Sequence, residues 1–214
     1  MRQIGLFCGT FNPIHMGHLI IAECARDQFK LEKVLFVTSP APPHRADTLL
    51  DGRARHEMVK AATADNPFFV PSSIEIDRTG PSYTIDTVKE LRTIYGEDLK
   101  INLIIGGDNL PQLHTWKNHE ELLELCRILV VPRLRYLDET DKALRVVGQD
   151  STVSSVSYDG ADIVIIDFPG IKISGSNIRE RVRAGKTVLY MVPPAVNELI
   201  VNHGYFKKQS ATAK

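Results

Sequence analysis

Short apolar runs alternate with amphipathic stretches along most of the chain. Runs in which nearly every residue is apolar predict strands that are covered on both faces, as in a parallel sheet. Such runs lie at 4–8, 34–37, 101–105, 128–131 and 163–166, and a less regular strand or strand pair is predicted at 68–76. Apolar residues at helical spacing predict helices at 18–29, 53–64, 84–95, 109–113, 118–125, 175–184 and 194–203. The stretch 133–160 shows little periodicity apart from a short helix predicted at 139–147.

This alternation predicts the fold class, a single doubly wound, Rossmann-like α/β domain with a mostly parallel sheet and C-terminal helices. Strands joined by helices of this length form right-handed βαβ units, which place neighbouring strands in parallel. The domain is expected to span 1–206, with 207–214 as a frayed polar tail. Ligands of such sheets bind beyond the carboxyl ends of the strands, where the strand order reverses. The residues that follow each strand are therefore the candidates for a site.

The balance of charges narrows the possible functions. The chain has 214 residues, with 26 lysines and arginines against 26 aspartates and glutamates, so its formal net charge is zero. Nucleic-acid binders and membrane-surface binders usually carry a basic excess, which argues against both classes. Three widely spaced cysteines in apolar surroundings, Cys8, Cys24 and Cys126, are expected to be buried free thiols. Since there is neither a secretory leader nor an apolar run of about 20 residues, the sequence predicts a cytoplasmic protein.

The stretch 9–19, GTFNPIHMGHL, joins the first predicted strand to its helix and carries the strongest chemical signal. Gly9 allows the chain to turn sharply and a ligand to approach closely. A helix N-terminus carries unpaired N–H groups and about half a positive charge, which suits a phosphate oxygen. His15 and His18 are three residues apart and would face one site if Gly17 and His18 open the helix. The alternative is that both histidines are ordinary polar residues of a capping loop.

A second candidate phosphate site lies at 173–179, with the sequence ISGSNIR. Ser174 and Ser176 are of the type that caps helices, Gly175 permits a close approach, and Arg179 follows about one helical turn later. Hydroxyls, backbone N–H groups and a guanidinium would converge on an anion there. The alternative is a merely well-capped helix with a solvated arginine.

Further motifs give the sequence a specific family resemblance. They are PPHR at 42–45, EIDRTGPSYTIDT at 75–87, IGGD at 105–108, Trp116, and the ending from IRERVRAGK to HGYF. Together with the H-x-G-H stretch, they resemble the bacterial nicotinate-nucleotide adenylyltransferases of the H-x-G-H nucleotidyltransferase superfamily. The resemblance runs from 5 to 206 and is weakest over 133–160. The sequence departs from that family at Gly175, where serine or alanine is usual, and at Ser176, where threonine is usual and the hydroxyl is kept.

The resemblance implies an enzyme of NAD biosynthesis that transfers the adenylyl group of ATP to nicotinate mononucleotide and releases pyrophosphate. It implies His15, His18 and Arg179 as catalytic residues. The residues implied to bind ATP are Gly9, Thr10, Phe11, His15, His18, Gly106, Asp108, Ser174, Ser176 and Arg179. The residues implied to bind the mononucleotide are Asn12, His44, Arg45, Tyr83, Thr84 and Trp116.

No metal site built from protein ligands is expected, because Mg²⁺ should arrive with the phosphates of ATP. Asp108 would assist that ion, contact a ribose or simply cap a helix before Asn109. His44 and Arg45 would hold the phosphate of the mononucleotide, unless they belong to a solvated loop. Trp116 would stack on the pyridine ring, unless it is a core residue.

The acid form of the mononucleotide is expected over the amide, because Thr84 is a plausible N-cap for the helix 84–95. The N–H groups at that N-terminus would bind a pyridine carboxylate through charge-assisted hydrogen bonds, which a neutral carboxamide cannot match. Asp86 lies in the same turn and would favour the amide if it faced inward. We therefore expect Asp86 to face the helix N-terminus or solvent.

Several other functions stay open on the sequence alone. An adenylyltransferase acting on the amide or on another phosphorylated acceptor would share much of the site, and so would a nucleotide-sensing module without turnover. Pantetheine-phosphate adenylyltransferases and glycerol-phosphate cytidylyltransferases share the first loop and the last phosphate helix, but are not expected to carry PSYTIDT with a downstream tryptophan. A piece of an aminoacyl-tRNA synthetase would need tRNA-binding domains and a basic charge, for which the chain has no room and no excess.

Overall fold

A seven-stranded sheet lies at the centre of the computed structural model, which describes residues 2–40, 49–132, 155–158 and 161–207. The strands are β1 (Gln3–Gly9), β2 (Lys33–Thr38), β3 (Phe69–Ser72), β4 (Lys100–Gly106), β5 (Cys126–Val131), β6 (Ser155–Tyr158) and β7 (Ala161–Ile165). Their order is β3-β2-β1-β4-β5-β7-β6. The pairs from β3 to β7 are parallel, whereas β6, at the edge, is antiparallel to β7. The predicted doubly wound sheet is thereby confirmed, and β6 is a strand that the sequence pattern did not indicate.

Helices cover both faces of the sheet. They are α1 (Met16–Gln28), α2 (Gly52–Thr63), α3 (Ile74–Asp77), α4 (Thr84–Tyr95), a 3₁₀ helix (Gly107–Thr115), α5 (His119–Leu125), α6 (Gly175–Arg183) and α7 (Pro194–Asn202). Successive strand residues point to opposite faces, so Phe7 and Phe36 pack into one core cluster while Leu6 and Leu35 pack into another. Because both faces are buried, the strands read as unbroken apolar runs.

The two core clusters define two layers of helices. Residues of α1, α2, α6 and α7 pack with Phe7 and Phe36, and we call these helices the first layer. Residues of α4, the 3₁₀ helix and α5 pack with Leu6 and Leu35, and we call these the second layer. Any ligand at the strand ends therefore lies between side chains supplied from two opposite faces.

The strand order reverses between β1 and β4. The chain proceeds from β1 outward to β2 and β3, and then returns to β4 on the other side of β1. The carboxyl ends of β1, β2 and β4, at Gly9, Thr38 and Gly106, meet at one edge of the sheet, which we call the carboxyl edge. Because α4 leads back to the start of β4, its N-terminus at Thr84 lies at the same edge. Both predicted phosphate loops and the PSYT stretch thus converge there.

The prediction of strand over the whole of 68–76 is wrong beyond Ser72. There the chain forms the single turn α3, in which the Ser73 hydroxyl donates to the Asp77 carboxylate at 2.6 Å and the Asp77 N–H donates to the Ser73 carbonyl. The edge position of β3 explains the early end, because Pro71 has no N–H to donate and the side-chain bond favours a turn.

Thr84 is not the N-cap that the sequence predicted. It is the first residue of α4, and Tyr83 occupies the cap position, where its carbonyl accepts from the N–H groups of Asp86 and Thr87. The Tyr83 carbonyl thus satisfies these two N–H groups without a hydroxyl. The bounds of the other predicted helices that the structure describes agree with the sequence pattern to within two residues. Gly96 follows Tyr95 as the C-cap of α4, with φ 104°, as predicted.

Some predictions lie outside the described residues. These are the short helix at 139–147 and the tail from 208 onward. In the ranges that the structure does describe, no helix combines the length and the apolar character needed to cross a membrane.

Candidate active site

The loop after β1 brings both histidines to the N-terminus of α1. This helix begins at Met16, so His15 rather than Gly17 precedes the first turn, in an extended conformation. The His15 and His18 rings stack, with centroids 3.7 Å apart and planes inclined by 18°. The backbone N–H of His15 donates to Nδ1 of His18 at 3.2 Å. In a neutral His18 the ring proton therefore lies on Nε2, which makes that atom a donor.

Aromatic packing and one glycine fix the position of this pair. The Phe11 ring meets His18 edge to face, with centroids 5.1 Å apart, and Phe7 lies on the same imidazole at 5.9 Å. A Cβ at Gly17 would lie 3.1 Å from the His15 ring, so any side chain at this position would crowd that ring. Phe11 is buried at φ 42°, an uncommon value for a bulky residue that persists only where the surroundings enforce it.

The N-terminus of α6 meets this loop from a distant part of the sequence. Ser174 caps the helix, since its Oγ accepts from the N–H of Asn177 at 3.2 Å. One guanidinium nitrogen of Arg179 donates to the backbone oxygen of Asn12 at 2.7 Å, and the other donates to Ser176 Oγ at 3.3 Å. Arg179 is therefore half-buried and bound to the first loop, unlike the solvated arginine of the alternative interpretation.

Close contacts explain why a glycine occupies position 175 in this chain. A Cβ at this position would lie 2.9 Å from the Asn12 backbone oxygen and 3.3 Å from Nη1 of Arg179. The first distance is shorter than real Cβ contacts, so a serine or alanine here would require the backbone to move. The glycine at position 175, where the family usually has serine or alanine, thus accompanies a close approach of α6 to the first loop.

Arg55 is a buried residue of this region that the motifs did not indicate. It donates to the backbone oxygens of Thr10 at 2.5 Å, Ser39 at 2.8 Å and Leu50 at 2.8 Å. These carbonyls belong to the loop after β1, the loop after β2 and the segment before α2, which Arg55 ties together. Burial lowers the pKa of its guanidinium below the usual range. Helical spacing could have revealed it, because it precedes two buried apolar residues of α2 by three and four positions.

The residues predicted to contact ATP after β4 sit in a tight turn. Gly106 ends β4 and occupies the cap position of the 3₁₀ helix, and Gly107 begins that helix. Asp108 is half-buried inside its first turn, so the interpretation of Asp108 as a cap before Asn109 is wrong. Within the described ranges, no group of three or more histidine, cysteine, aspartate or glutamate side chains could hold a metal ion.

Three of the residues predicted to bind the mononucleotide lie at the carboxyl edge on the side of the second layer. Tyr83 is 44% exposed, Thr84 is half-buried, and both stand at the start of α4. Trp116 follows the 3₁₀ helix, is partly exposed and packs its remaining surface against the second core cluster. It is therefore a supported aromatic surface rather than a fully buried core residue.

An ion pair stands beside these aromatic residues. Nζ of Lys117 lies 3.2 Å and 3.1 Å from the two carboxylate oxygens of Asp86. The same nitrogen lies 4.5 Å from the centroid of the Tyr83 ring, within the range of a cation–π contact. Asp86 is thus partly exposed and paired, a partner that the sequence did not indicate.

A polar network orders the loop in front of α4. Arg78 donates to Ser82 Oγ at 2.6 Å and to Thr87 Oγ1 at 3.2 Å, and pairs with Glu90 at 2.6 Å. The Thr87 hydroxyl in turn donates to the buried Glu75 carboxylate at 2.9 Å. These contacts explain why the EIDRTGPSYTIDT stretch contains several polar residues that the ligand assignments leave out.

The pKa of each of the three cysteine thiols is raised above its usual value, chiefly by burial. All three are free, and Cys126 is buried, whereas Cys8 and Cys24 are only half-buried, which corrects the prediction of three buried thiols. Burial raises the pKa of Cys126 to about 12, and burial together with the Glu75 charge raises the pKa of Cys8 well above its usual value. A thiol that stays protonated near neutrality is a poor nucleophile.

The structure thus groups the predicted residues into two sets. Asn12, His15, His18 and Arg179 come together at the ends of first-layer helices. Tyr83, Thr84 and Trp116 stand at the same edge on the second layer. His44 and Arg45 lie outside the described residues.

Comparison with known proteins gives the family. The cytidylyltransferase-like family matches residues 6–181. Probable nicotinate-nucleotide adenylyltransferases from Thermoanaerobacter sp. (strain X514) and Moorella thermoacetica are 39% and 40% identical, covering 96% of this chain and 95% and 92% of their own lengths. In fold, the chain resembles Plasmodium falciparum nicotinic acid mononucleotide adenylyltransferase complexed with NaAD, at a TM-score of 0.75, 14% identity, and coverage of 96% of this chain and 98% of that one. The chain therefore belongs to the nicotinate-nucleotide adenylyltransferases, within the cytidylyltransferase-like family.

Proposed function

We propose that this protein transfers the adenylyl group of ATP to nicotinate mononucleotide, forming nicotinate adenine dinucleotide and pyrophosphate in NAD biosynthesis. One observation at the carboxyl edge carries the proposal. The His15 and His18 rings stack at the end of the loop after β1, and Arg179 donates to the Asn12 carbonyl of the same loop. We call Asn12, His15, His18 and Arg179 the phosphate region. The names of the relatives support the choice of acceptor.

This reaction needs alignment and charge stabilisation more than it needs a strong base. A phosphate monoester has a second pKa of about 6, so the acceptor is already largely ionised near neutrality. Its oxygen attacks the α-phosphorus of ATP, the bond from that phosphorus to the bridging oxygen breaks, and the electron pair leaves with pyrophosphate. The protein must hold two anions in line and stabilise charge on the α-phosphate oxygens.

The phosphate region suits that task. His18 presents an Nε2–H because its Nδ1 already accepts from the loop, and His15 stacks on it at the helix N-terminus, where the helix dipole favours anions. Arg179 adds a guanidinium, and Ser174 and Ser176 add hydroxyls at the start of α6. We assign these groups to the phosphates of ATP, with His15, His18 and Arg179 as catalytic residues.

The acceptor is assigned to the second layer. We call Tyr83, Thr84, Trp116 and Lys117 the pyridine region, in which Trp116 offers a supported aromatic face for the pyridine ring. The N–H groups of Thr84 and Ile85, which precede the two that the Tyr83 carbonyl binds, would bind the ring carboxylate. We assign the phosphate of the mononucleotide to Asn12 and to the two residues of the PPHR stretch.

Mg²⁺ and the remaining contacts to ATP complete the proposal. Mg²⁺ commonly binds through one or two carboxylates together with substrate phosphates, and the half-buried Asp108 is a carboxylate of that kind at the carboxyl edge. When bound, the ion screens the charge of the phosphates. Gly9, Thr10, Phe11 and Gly106 would line the nucleotide through backbone and ring contacts. We further propose a cytoplasmic location, where the three free thiols would stay reduced.

The test is an assay of pyrophosphate release with ATP, Mg²⁺ and separate acceptors. The acceptors are nicotinate mononucleotide, nicotinamide mononucleotide and phosphopantetheine, with a parallel reaction of CTP and glycerol phosphate. We expect turnover with nicotinate mononucleotide and a dinucleotide product of the corresponding mass. Binding of ATP without release of pyrophosphate in the presence of any of these acceptors would indicate a nucleotide-sensing module instead.

A pair of matched variants controls the assay. His18→Ala removes a proposed catalytic ring and should abolish most turnover. His203→Ala removes an exposed histidine that stacks on Tyr205 after α7, and should leave turnover unchanged. Equal loss in both variants would show that the decline comes from the fold rather than from the site.

A further inference from the structure

Asp86, which lies beside the pyridine region, carries a charge that opposes the proposed ligand. Asp86 is the third residue of α4, so its carboxylate stands in the same first turn whose N–H groups are assigned to the carboxylate of the pyridine ring. The Asp86 carboxylate and a pyridine carboxylate bound at the same helical turn would repel each other, and a neutral carboxamide would escape that repulsion. Left alone, Asp86 would favour the amide mononucleotide.

Lys117 removes this conflict. Its Nζ lies 3.1–3.2 Å from both oxygens of Asp86, which makes the pair electrically neutral. It also lies 4.5 Å from the centre of the exposed Tyr83 ring, so the ammonium contacts both the aspartate and an aromatic ring of the region. Lys117 directly follows Trp116, so the residue proposed to hold the ring and the residue that neutralises Asp86 are adjacent in the chain.

We propose that Lys117 is a positioning residue that determines specificity: by neutralising Asp86 beside Tyr83, it allows the site to accept an anionic pyridine carboxylate in preference to a carboxamide. This inference rests on the proposed function. It goes beyond that function in assigning the discrimination between acid and amide to a side-chain charge that acts through Asp86. Lys117 need not touch the substrate for this effect.

The experiment compares kcat/KM for nicotinate mononucleotide with kcat/KM for nicotinamide mononucleotide at saturating ATP. Lys117→Met removes the ammonium and keeps a chain of similar length, which leaves Asp86 uncompensated. We expect the ratio of acid to amide to fall by about tenfold, the size of effect that one nearby unit charge has at a partly exposed site. Lys117→Arg should keep the ratio, because it keeps the charge.

The double variant Lys117→Met with Asp86→Asn separates charge from structure. Both charges are then absent, so we expect the acid-to-amide ratio to return close to the wild-type value, although the cation–π contact with Tyr83 is also lost. A purely structural role of Lys117 would not be rescued by a second substitution that removes its partner. Failure of rescue would overturn the inference.

A second ion pair that involves α4 serves as a matched control for the loss of a positive charge. Lys89 of α4 pairs with Glu121 of α5 at 2.7 Å, with exposures of 49% and 40%, against 44% and 36% for Lys117 and Asp86. Lys89 lies about one helical turn after Asp86 on α4. Lys89→Met removes one positive charge there, as Lys117→Met does beside Asp86, and the acid-to-amide ratio should stay unchanged. An equal fall in Lys89→Met would mean that overall charge decides the ratio, and would overturn the inference.

Ionic strength provides an independent readout. Both partners of the pair are partly exposed, so salt should screen them, and the gap between wild type and Lys117→Met should narrow as salt rises. Thermal unfolding of each variant shows that the fold is intact. If the wild type forms no dinucleotide from either substrate, the proposed function fails and this inference with it. Normal wild-type turnover with an unchanged ratio in Lys117→Met overturns only the inference.

Discussion

The phosphate region and the pyridine region hold their side chains by different kinds of contact. In the phosphate region, His15 is buried, a Cβ at Gly17 would crowd the His15 ring at 3.1 Å, and a Cβ at Gly175 would lie 2.9 Å from the Asn12 backbone oxygen. In the pyridine region, Tyr83 is 44% exposed, and the charges of Asp86 and Lys117 pair with each other near the surface. One region is fixed by packing and backbone hydrogen bonds, and the other by an aromatic surface and a solvated ion pair.

This difference matches the two tasks of a nucleotidyl transfer. Stabilising a transition state requires donors that do not need to reorganise, which buried contacts provide. Choosing between two acceptors that differ in one charged group requires only a modest difference in binding free energy, which an exposed pair provides. We therefore expect substitutions in the phosphate region to change kcat, and substitutions in the pyridine region to change the KM of the mononucleotide.

The largest effect should come from His18→Ala or Arg179→Ala. Either change removes a donor from the proposed transition-state site, and kcat should fall on the order of a hundredfold or more. Arg179→Lys should recover only part of the loss, because an ammonium cannot bond Asn12 and Ser176 through one planar fork. Steady-state kinetics with varied ATP measures this. A normal kcat with only a raised KM for ATP would move that residue to ground-state binding.

Gly175→Ala tests whether close packing holds the phosphate region. The added Cβ would meet the Asn12 oxygen at 2.9 Å, so α6 or the loop has to shift. Overpacking of this kind costs about 1–3 kcal/mol, which would lower Tm by several degrees, and kcat should fall with it. Thermal unfolding and kinetics of Gly175→Ala are compared with those of Asn177→Ala, an exposed change on the same helix. If both variants behave like wild type, the glycine is not required.

Trp116→Ala should affect only the pyridine region. Loss of an aromatic platform is worth roughly 0.5–1.5 kcal/mol, so the KM of the mononucleotide should rise about two- to tenfold. The KM of ATP should hardly change, and Trp116→Phe should recover part of the loss. Tyr190→Ala removes a ring that is 93% exposed and serves as the control. Equal weakening of both substrates by Trp116→Ala would mean that Trp116 supports the fold rather than the ring.

The smallest effect is a pH dependence of stability on the side of the phosphate region. His56 of α2 is buried against the Thr38 hydroxyl at 3.0 Å, and burial lowers its pKa. Below the usual value of about 6.5, the unfolded chain binds a proton that the folded protein resists, so stability falls as pH drops toward the folded pKa. Urea unfolding at pH 7.5 and 5.5 should show a smaller difference for His56→Gln than for wild type. His203→Gln, at an exposed position, should keep the full difference.

The contacts of the phosphate region were more predictable from the sequence than those of the pyridine region, for a physical reason. The partners of His15 and His18 are local, since the loop 9–19 supplies the strand end, the glycine and the helix start within one stretch. The contact between Arg179 and the Asn12 carbonyl is not local, and no spacing rule predicts a bond to a distant backbone oxygen. At α6, only the serine cap was therefore predictable from the sequence.

In the pyridine region the decisive contacts join separate elements. Lys117 and Asp86 are 31 residues apart, and neither belongs to a pattern that signals an ion pair. Strand β6 was missed for a related reason, because an antiparallel edge strand needs only one buried face and lacks the continuous apolar run of the central strands. Arg55 shows a third limit, since an arginine on the apolar face of a helix is usually taken as exposed.

The bond between Arg179 and Asn12 also sets the moment at which activity can arise during synthesis. Its two ends are 167 residues apart, so the histidines leave the ribosome long before α6 does. At translation speeds of 5–20 residues per second, the delay is roughly 8–30 seconds. During that interval the nascent chain contains the two histidines that we assign to the phosphates of ATP, but not the guanidinium of Arg179. Competence for adenylyl transfer is therefore a property that the chain gains late, when α6 closes onto a loop made at the beginning.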